Sequence, residues 1–291
     1  MGIVSFEVKK NFKKNEVIKN FSFAAREGKL TLLLGPNGCG KTTWIRIALG
    51  HEFADSGEVL FDDKSIKEVR DQISVVFDEP PIYPNLSGYD NLQILSGVHS
   101  IKTEYTKKIL NDLKLTNDLM KKNAKAFSLG QRHRLAVACA LIRQTKYIIM
   151  DEPTVGLDYE SWEMVKKLLK KELEKGCVIL VTGHNYDLMG EIVDDLVIVS
   201  NGIVSFEGSF EELKKETNIV VKIKTRATIE KMSKFGFEQV ESGVFERSYR
   251  SREEFDSQLL EMQQNKILIE QVDFQVPGLK EMYKSIIGDE K

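Results

Sequence analysis

The sequence predicts an α/β protein of 291 residues with a smaller α+β module at its carboxyl end. Short continuous apolar runs at 147–150 and 178–181, with a helix-patterned stretch at 160–175 between them, are typical of strands buried on both faces of a parallel sheet. Another apolar run, 30–34, leads into a glycine-rich loop. After about residue 217 a second alternation of short strands and helices begins.

The glycine-rich loop, residues 35–42, reads Gly-Pro-Asn-Gly-Cys-Gly-Lys-Thr and fits the pattern G-x-x-x-x-G-K-[ST]. Glycines let backbone N–H groups turn toward an anion, and the helix that follows adds a favourable dipole. Lys41 supplies a point charge, and Thr42 a hydroxyl suited to Mg²⁺. A chance match in a glycine-rich turn is the alternative, and the strand–loop–helix context argues against it. The loop therefore predicts a phosphate-loop NTPase core, without saying what the energy is used for.

The elements around this core follow from local patterns. Residues 1–34 alternate apolar and polar, which predicts two or three strands of an antiparallel edge sheet. A turn at 55–58 precedes a short strand at 59–61. Between Pro80 and Lys146 apolar residues recur at helical spacing, which predicts a mostly helical insertion. Residues 197–206 read as a β-hairpin whose central Asn-Gly favours a type I′ turn.

The region after residue 217 shows the order β-α-β-β-α-β-α, which a split βαβ (ferredoxin-like) module would have. We therefore predict two domains. Residues 1–217 form the nucleotide-binding domain, with a helical subdomain at about 79–146. Residues 218–291 form a C-terminal α+β accessory domain.

Composition excludes several classes of protein. The 42 basic and 44 acidic residues give a net charge of −2, so no global field recruits nucleic acid. The apolar runs are far shorter than the roughly 20 residues that cross a bilayer, and residues 1–10 lack the apolar region of a signal peptide. Cys39, Cys139 and Cys177 lie far apart without metal spacing, which suits reduced thiols. We expect a soluble intracellular protein.

An apolar strand at 147–150 ends in two carboxylates, Asp151 and Glu152. At that strand end Asp151 would face the Mg²⁺ shell beside Thr42, and Glu152 would face the γ-phosphate. A carboxylate there can polarise an attacking water, which is the main task in hydrolysis besides stabilising charge. A plain strand followed by an acidic turn is the alternative, and the phosphate loop weighs against it.

Further motifs lie in a characteristic order around these two. Phe127-Ser128-Leu129-Gly130-Gln131 precedes an apolar helix, Gly156-Leu157-Asp158 follows the acidic strand end, and a lone His184 follows the next strand. A serine before a helix can be only an N-cap. The whole order, however, resembles the ATP-binding cassette family over residues 1 to about 215. GTPases, kinases and helicases with a phosphate loop lack the Ser-x-Gly-Gln element.

The resemblance implies a cofactor, a metal and a partner. Two cassettes, identical or different, would pair head to tail around two ATP molecules. Each ATP would lie between one subunit's phosphate loop and the other's signature residues, Ser128, Gly130 and Gln131. Glu152 would be the general base, His184 the γ-phosphate switch, and Asp151 a water-mediated Mg²⁺ partner.

The resemblance also assigns the remaining nucleotide contacts. Lys41 would hold the β- and γ-phosphates, Thr42 would bind Mg²⁺, and Thr43 would lie near the α-phosphate. Phe12 falls where the family stacks an aromatic ring on adenine, with a core phenylalanine as the alternative. The other expected contacts come from the loop itself: Gly35, Asn37, Gly38, Cys39 and Gly40.

Three departures from the family pattern stand out. Asp78 replaces the usual Gln at the end of the strand 73–77, and can touch Mg²⁺ or water but cannot donate as an amide does. Leu129 puts a side chain where the signature backbone approaches phosphate. Cys39 lies beside Lys41 and a helix N-terminus, surroundings that lower a cysteine pKa, so we expect a reactive thiolate; a small residue filling the turn is the alternative. None of these removes the catalytic carboxylate, so we expect ATPase activity.

Residues 73–92 and the tail 277–283 look like the branch with bacitracin-type and antimicrobial-peptide exporters. We predict the ATP-hydrolysing motor of such an exporter. It would act at the cytoplasmic face of the membrane through a permease on a separate chain, driving efflux of a peptide, antimicrobial or drug-like substrate. The rivals are a non-transport cassette ATPase and a nucleotide-binding regulator of low turnover. The sequence does not fix the substrate, the direction of transport, the partner chains or the role of the C-terminal domain.

Overall fold

The computed structural model describes residues 2–13, 15–98, 100–183, 192–216, 218–275 and 278–287. The chain divides into two compact units, residues 1–208 and 209–291. The sequence placed the domain boundary later, after residue 217. The intervening segment holds a short helix, Phe210–Glu216, which the sequence pattern did not separate from the hairpin before it.

The first unit is built on a large mixed sheet. In chain order its strands are β1 (Gly2–Phe12), β2 (Asn15–Arg26), β3 (Leu30–Leu34), β4 (Ser56–Phe61), β5 (Ile73–Val76), β6 (Tyr147–Met150), β7 (Val178–Gly183), β8 (Asp195–Ser200) and β9 (Ile203–Ser209). Their order across the sheet is β4-β1-β2-β9-β8-β3-β7-β6-β5. Because β3 pairs in parallel with β7 and β8, and β6 with β5 and β7, the predicted parallel core is confirmed.

The apolar runs became the strands of this core for a physical reason. Every residue of β3, β6 and β7 is buried, so these strands pack on both faces. They therefore lack the alternation of apolar and polar residues that is typical of a strand with one exposed face. The predicted helix between the last two is present as Tyr159–Glu174. It starts at Asp158, whose Oδ1 accepts a hydrogen bond from the Ser161 N–H at 2.8 Å.

The antiparallel edge sheet is also confirmed, because β1 pairs with both β2 and β4. Strand β4 starts at Ser56, three residues before the predicted start, because Ser56 already pairs with Lys9. At the other predicted hairpin, Asn201 and Gly202 both have positive φ, 50° and 77°. These values are those of a type I′ turn between β8 and β9.

The helices of the first unit surround the sheet. They are α1 (Lys41–Ala48), α2 (Ile66–Val69), α3 (Gly88–Ser96), α4 (Glu104–Asp112), α5 (Asn117–Met120), α6 (Leu129–Ile142) and α7 (Tyr159–Glu174). Four of them form the predicted helical insertion, and each of these begins at a Ser or Thr whose hydroxyl accepts a backbone N–H: Ser87, Thr103, Thr116 and Ser128. Such caps contribute about 1 kcal/mol each and fix where a helix starts.

Helix α1, which carries the glycine-rich loop, is anchored by a tryptophan. Trp44 is fully buried, and its ring lies 4.9 Å from that of Phe23 on β2. Its indole N–H donates to Ser5 Oγ at 2.9 Å, and that hydroxyl donates to the Phe21 carbonyl at 2.7 Å. The antiparallel sheet therefore fixes the helix on which the loop depends.

The second unit begins with α8 (Phe210–Glu216) and continues with an antiparallel four-stranded sheet. Its further elements are β10 (Ile219–Thr225), α9 (Ile229–Ser233), β11 (Glu238–Glu241), β12 (Val244–Tyr249), α10 (Arg252–Gln264), β13 (Ile269–Gln275) and α11 (Leu279–Ile287). The predicted β-α-β-β-α-β-α order is confirmed. The strand order is β11-β12-β10-β13, over an apolar core that includes Phe237, Phe245, Tyr249 and Phe255.

A fragment ending at residue 217 should stay soluble and bind ATP with the affinity of the whole chain. The physical reason is that the second unit has its own apolar core, while the cleft around the glycine-rich loop is lined by residues between 12 and 155. Titration with a fluorescent ATP analogue, together with thermal unfolding, checks this expectation. Insolubility or lost nucleotide binding would show that the tail completes the first unit.

Candidate nucleotide site

The glycine-rich loop joins β3 to α1, and its glycines are required by space and by backbone conformation. Gly38 and Gly40 have φ of 83° and 109°, values that side chains of L residues rarely tolerate. A Cβ on Gly35 would lie 2.6 Å from the Val199 carbonyl oxygen and 2.7 Å from Cys39 Sγ. The loop is therefore closely packed on its inner side, against the sheet.

A cleft of about 670 Å³ opens over this loop, a size typical of small-molecule sites. Its lining comes from β1, β2, the loop, the start of α1 and the segments that follow β5 and β6: Phe12, Val17, Asn37, Gly38, Gly40, Lys41, Thr42, Thr43, Asp78, Glu79, Glu152 and Val155. The structure thus brings most of the predicted nucleotide contacts together. Val17, Glu79 and Val155 were missed, because nothing in their local sequence marks them.

Lys41 lies at the centre of the loop with its ammonium group held by the backbone. Its Nζ donates to the carbonyl oxygens of Gly35 at 2.7 Å and Pro36 at 3.2 Å. The same nitrogen lies 3.5 Å from Glu152 Oε1, and the residue is 5% exposed. The charge is therefore fixed between the loop and the acidic strand end.

The acidic strand end is organised by Thr182 on the neighbouring strand β7. Its hydroxyl donates to Asp151 Oδ1 at 2.5 Å and accepts the Glu152 N–H at 3.0 Å. Glu152 has a φ of 47°, an uncommon left-handed conformation for a non-glycine residue. Sequence reasoning missed Thr182; the available signal was a hydroxyl residue in a strand that is otherwise apolar.

Asp151 is 1% exposed, and burial raises the pKa of its carboxyl group. The hydroxyl groups of Thr182 and Thr42 oppose that rise, and the nearby carboxylates of Asp78 and Glu152 add to it. Its Oδ2 has no hydrogen-bond partner among the residues that the structure describes. A buried carboxylate oxygen without a donor is a position suited to a cation or to cation-bound water.

The oxygen donors around that atom fit Mg²⁺. Thr42, Asp78 and Asp151 line one cleft beside α1. Within the described ranges no group of three or more His, Cys, Asp or Glu side chains is placed to hold a metal by itself. Mg²⁺ normally keeps several waters and substrate phosphates as ligands, so it needs only one or two protein oxygens here.

The signature residues lie outside the cleft. Ser128 caps α6, and a reciprocal pair of hydrogen bonds joins it to Gln131: Ser128 Oγ accepts the Gln131 N–H, and Gln131 Oε1 accepts the Ser128 N–H. Gly130 approaches Gly156, whose carbonyl would lie 3.1 Å from an added Cβ. Leu129 packs on Gly156 and remains 48% exposed. The start of α6 therefore lies against Gly156, and none of Ser128, Gly130 and Gln131 lines the cleft over the glycine-rich loop of the same chain.

His184 lies outside the described residues. Phe12 ends strand β1, is 44% exposed and lines the cleft, which excludes the alternative of a core phenylalanine.

The expectation of a reactive Cys39 thiolate is wrong, because the pKa of this thiol is raised and not lowered. The side chain is 6% exposed, and burial raises the pKa of the thiol, outweighing the opposing effect of Lys41. Its Sγ lies next to Gly35, on the inner side of the loop. The thiol therefore fills the turn, which agrees with the alternative stated for it.

A glycine-rich loop between a buried strand and a helix, with paired carboxylates at the end of a nearby strand, defines a phosphate-loop ATPase. Residues 18–155 match the family model described as ABC transporter. The lantibiotic transport ATP-binding protein SrtF of Streptococcus pyogenes is 30% identical over 206 residues, covering 70% of this chain and 89% of that protein. The SkfA peptide export ATP-binding protein SkfE of Bacillus subtilis is 30% identical over 198 residues, covering 66% and 83%.

The solved structures agree with this. A nucleotide-free ATP-binding cassette from an ABC transporter superposes with a TM-score of 0.63 at 27% identity, covering 73% of this chain and 93% of that one. The chain therefore belongs to the ABC transporter family. It is an ATP-binding subunit that hydrolyses ATP to drive transport. No helix within the described residues is long and apolar enough to cross a membrane.

Cys39 should react slowly with maleimide or disulfide reagents at neutral pH, more slowly than a free cysteine, because its raised pKa leaves less thiolate. The rate should increase as the pH rises toward the thiol pKa. Rate constants measured at several pH values on the full chain check this, with Cys39→Ser correcting for Cys139 and Cys177. Fast modification at neutral pH, lost in Cys39→Ser, would restore the original expectation of a thiolate.

Proposed function

We propose that this subunit drives export of a peptide, antimicrobial or drug-like substrate through a membrane permease on a separate chain, at the cytoplasmic face of the membrane. Support for the substrate class comes from the printed functions of its relatives, lantibiotic transport and peptide export. The single observation that carries the motor function is the placement of Lys41 Nζ 3.5 Å from Glu152 Oε1, at the mouth of one cleft. That geometry puts a carboxylate where a terminal phosphate would meet water.

Each residue of the cleft then has a task. Lys41 and the loop N–H groups bind the β- and γ-phosphates, Thr43 lies near the α-phosphate, and Phe12 stacks on the adenine. Glu152 accepts a proton from the attacking water as general base. Its backbone is held by Thr182, so the carboxylate cannot drift with the loop that follows. His184 is assigned to sense the γ-phosphate by its place after β7.

Mg²⁺ would be held by the Thr42 hydroxyl, with Asp151 and Asp78 contacting it directly or through water. When bound, the ion would supply charge stabilisation on the β- and γ-phosphates. The orphaned Asp151 Oδ2 supports this assignment. Asp78 differs from the usual Gln in its negative charge, and its Oδ1 already accepts the Glu79 N–H at 2.8 Å. Its role is thus to position oxygen ligands rather than to donate a proton.

A complete site would need a second cassette, identical or different. Ser128, Gly130 and Gln131 lie away from the phosphate loop of their own chain, on the surface around Gly156. Ser128 is exposed there, at the N-terminus of the long helix α6, where backbone N–H groups favour an anion. A head-to-tail dimer would bring this surface to the γ-phosphate of the partner's ATP.

The membrane subunit would dock in a groove of about 330 Å³ between β5 and the helical insertion, whose lining is mostly apolar but includes His51, Arg70 and Arg143. Leu95 of α3 and Ala136, Cys139 and Ala140 of α6 form one wall of this docking groove, and Phe77 with Pro81 contributes another part. Phe77 and Pro81 belong to the 73–92 segment, which continues from the Asp78 end of the nucleotide cleft. Movement at Asp78 would therefore reach the bound membrane subunit directly.

We also propose that the second unit is a ferredoxin-like accessory domain. Its strand order β11-β12-β10-β13, with antiparallel pairing throughout, suits a split βαβ arrangement. A regulatory or dimer-stabilising task fits a module that has an apolar core of its own.

Glu152→Gln should retain ATP binding and lose turnover by about two to three orders of magnitude, because it keeps the shape while removing the base. The ATP-loaded dimer should accumulate. Phosphate release and size-exclusion chromatography with ATP check both expectations, and Glu174→Gln, an exposed carboxylate on α7, is the control. Hydrolysis at the wild-type rate would remove Glu152 as the base. Negligible ATP turnover by the unmodified chain, with and without membranes, would favour the alternative of a nucleotide-binding regulator of low turnover.

Leu95→Glu should abolish recovery of the subunit with its membrane fraction while leaving basal ATPase activity unchanged. A carboxylate on the apolar wall of this groove lowers the affinity for a docking partner several-fold or more, because the charge must be desolvated when the partner covers that wall. Ile94→Glu, on the same helix but 53% exposed and outside the docking groove, is the matched control. Equal membrane recovery of both variants would rule out this groove.

A further inference from the structure

Lys10 is a buried lysine on β1, two residues before the aromatic ring of the nucleotide cleft. It is 8% exposed. Its Nζ donates to Glu52 Oε1 at 2.9 Å and to the Phe53 carbonyl oxygen at 2.7 Å, and lies 3.6 Å from Asp55 Oδ1. A buried ammonium group needs such partners, because leaving one unpaired is costly.

The partners of Lys10 belong to the segment 52–55, which follows the phosphate-loop helix α1. The Glu52 N–H donates to the Arg46 carbonyl near the end of that helix at 3.1 Å. Asp55 reaches back to β1, where its Oδ2 accepts from the backbone N–H of Asn11 at 2.6 Å and from its side-chain amide at 3.0 Å. The segment therefore ties the end of β1 to the end of α1.

The same ammonium group also contacts the ring. Lys10 Nζ lies 5.1 Å from the centroid of Phe12, a cation–π distance. Phe12 is the last residue of β1 and is followed by Lys13 with a φ of 56°, so the strand ends at the ring. Without a lateral contact, a half-exposed ring at a strand end would sample several rotamers.

We propose that Lys10 is a positioning residue for nucleotide binding, which holds the Phe12 ring in one position relative to the phosphate-loop helix. This inference rests on the proposed function, because it assumes that Phe12 stacks on the base. The Lys10 charge is already balanced by Glu52 and Asp55, so its task is to fix geometry rather than to attract phosphate. Preorganising the ring lowers the entropy lost when the base binds.

The test compares ATP with inorganic tripolyphosphate, which lacks the base, by calorimetric titration of the full chain. Lys10→Met should raise the Kd for ATP about three- to tenfold and leave the Kd for tripolyphosphate unchanged. Lys10→Arg should restore ATP binding, since a guanidinium keeps both the ion pairs and the ring contact. Lys9→Met, which removes an exposed lysine from the same strand, is the matched control and should change neither Kd.

A second variant keeps the test decisive if Lys10→Met does not fold. Glu52→Gln weakens the ion pair with Lys10 by changing its more exposed partner. This variant should also raise the Kd for ATP and leave the Kd for tripolyphosphate unchanged. In a Phe12→Leu background, Lys10→Met should have little further effect, because the ring it positions is gone.

Other results would overturn the inference. Equal loss of ATP and tripolyphosphate binding would make Lys10 a general structural residue, and unchanged ATP binding in Lys10→Met and Glu52→Gln would show that the clamp is not needed. Either result leaves the proposed function in place. Failure of the unmodified chain to bind ATP would overturn the proposed function, and this inference with it.

Discussion

The parallel register of three buried strands is the constraint on which the site depends. Leu34 of β3 pairs with Gly183 of β7, and Met150 of β6 pairs with Val181 of the same strand. The phosphate loop follows the carboxyl end of β3, and Asp151 and Glu152 follow the carboxyl end of β6, so both lie at the same end of the parallel strands. A slip of one residue would turn Thr182 to the opposite face and remove the hydroxyl that holds Asp151 and Glu152. Such a slip is costly because both faces of these strands are buried, and this burial keeps Thr182 in contact with Asp151 and Glu152.

The antiparallel edge sheet holds the other side of the cleft. Through the hydrogen bond to Ser5 and the contact with Phe23, Trp44 fixes the helix that begins at Lys41. The same sheet carries Phe12 at its rim. Phosphate and base would thus be bound by the parallel and the antiparallel part of one mixed sheet, which are joined through one helix. This explains why an edge sheet without catalytic groups belongs to the site.

The helical insertion has a different relation to the nucleotide. Leu129 and Gly130 at the start of α6 lie against Gly156, while Ala136, Cys139 and Ala140 of the same helix line the groove proposed for docking. Leu129 departs from the usual signature of the family. Its side chain packs on Gly156 and does not enter the nucleotide cleft of its own chain. An element with contacts on both sides is suited to pass movement from a nucleotide to a bound partner. That is the property a transport motor needs beyond hydrolysis itself.

The sequence by itself determined the loop, the order of the elements after residue 217 and the Asn-Gly hairpin, because these follow from local steric and hydrogen-bond preferences. The sequence also placed Asp151 and Glu152 directly after a buried strand, since an apolar run followed by two carboxylates is a local pattern. Only the tertiary structure decided the raised pKa of Cys39, the anchoring by Thr182 and the clamp from Lys10 to Glu52, which are 42 residues apart. Burial and long-range pairing depend on how strands register and pack, and no local pattern records either of them.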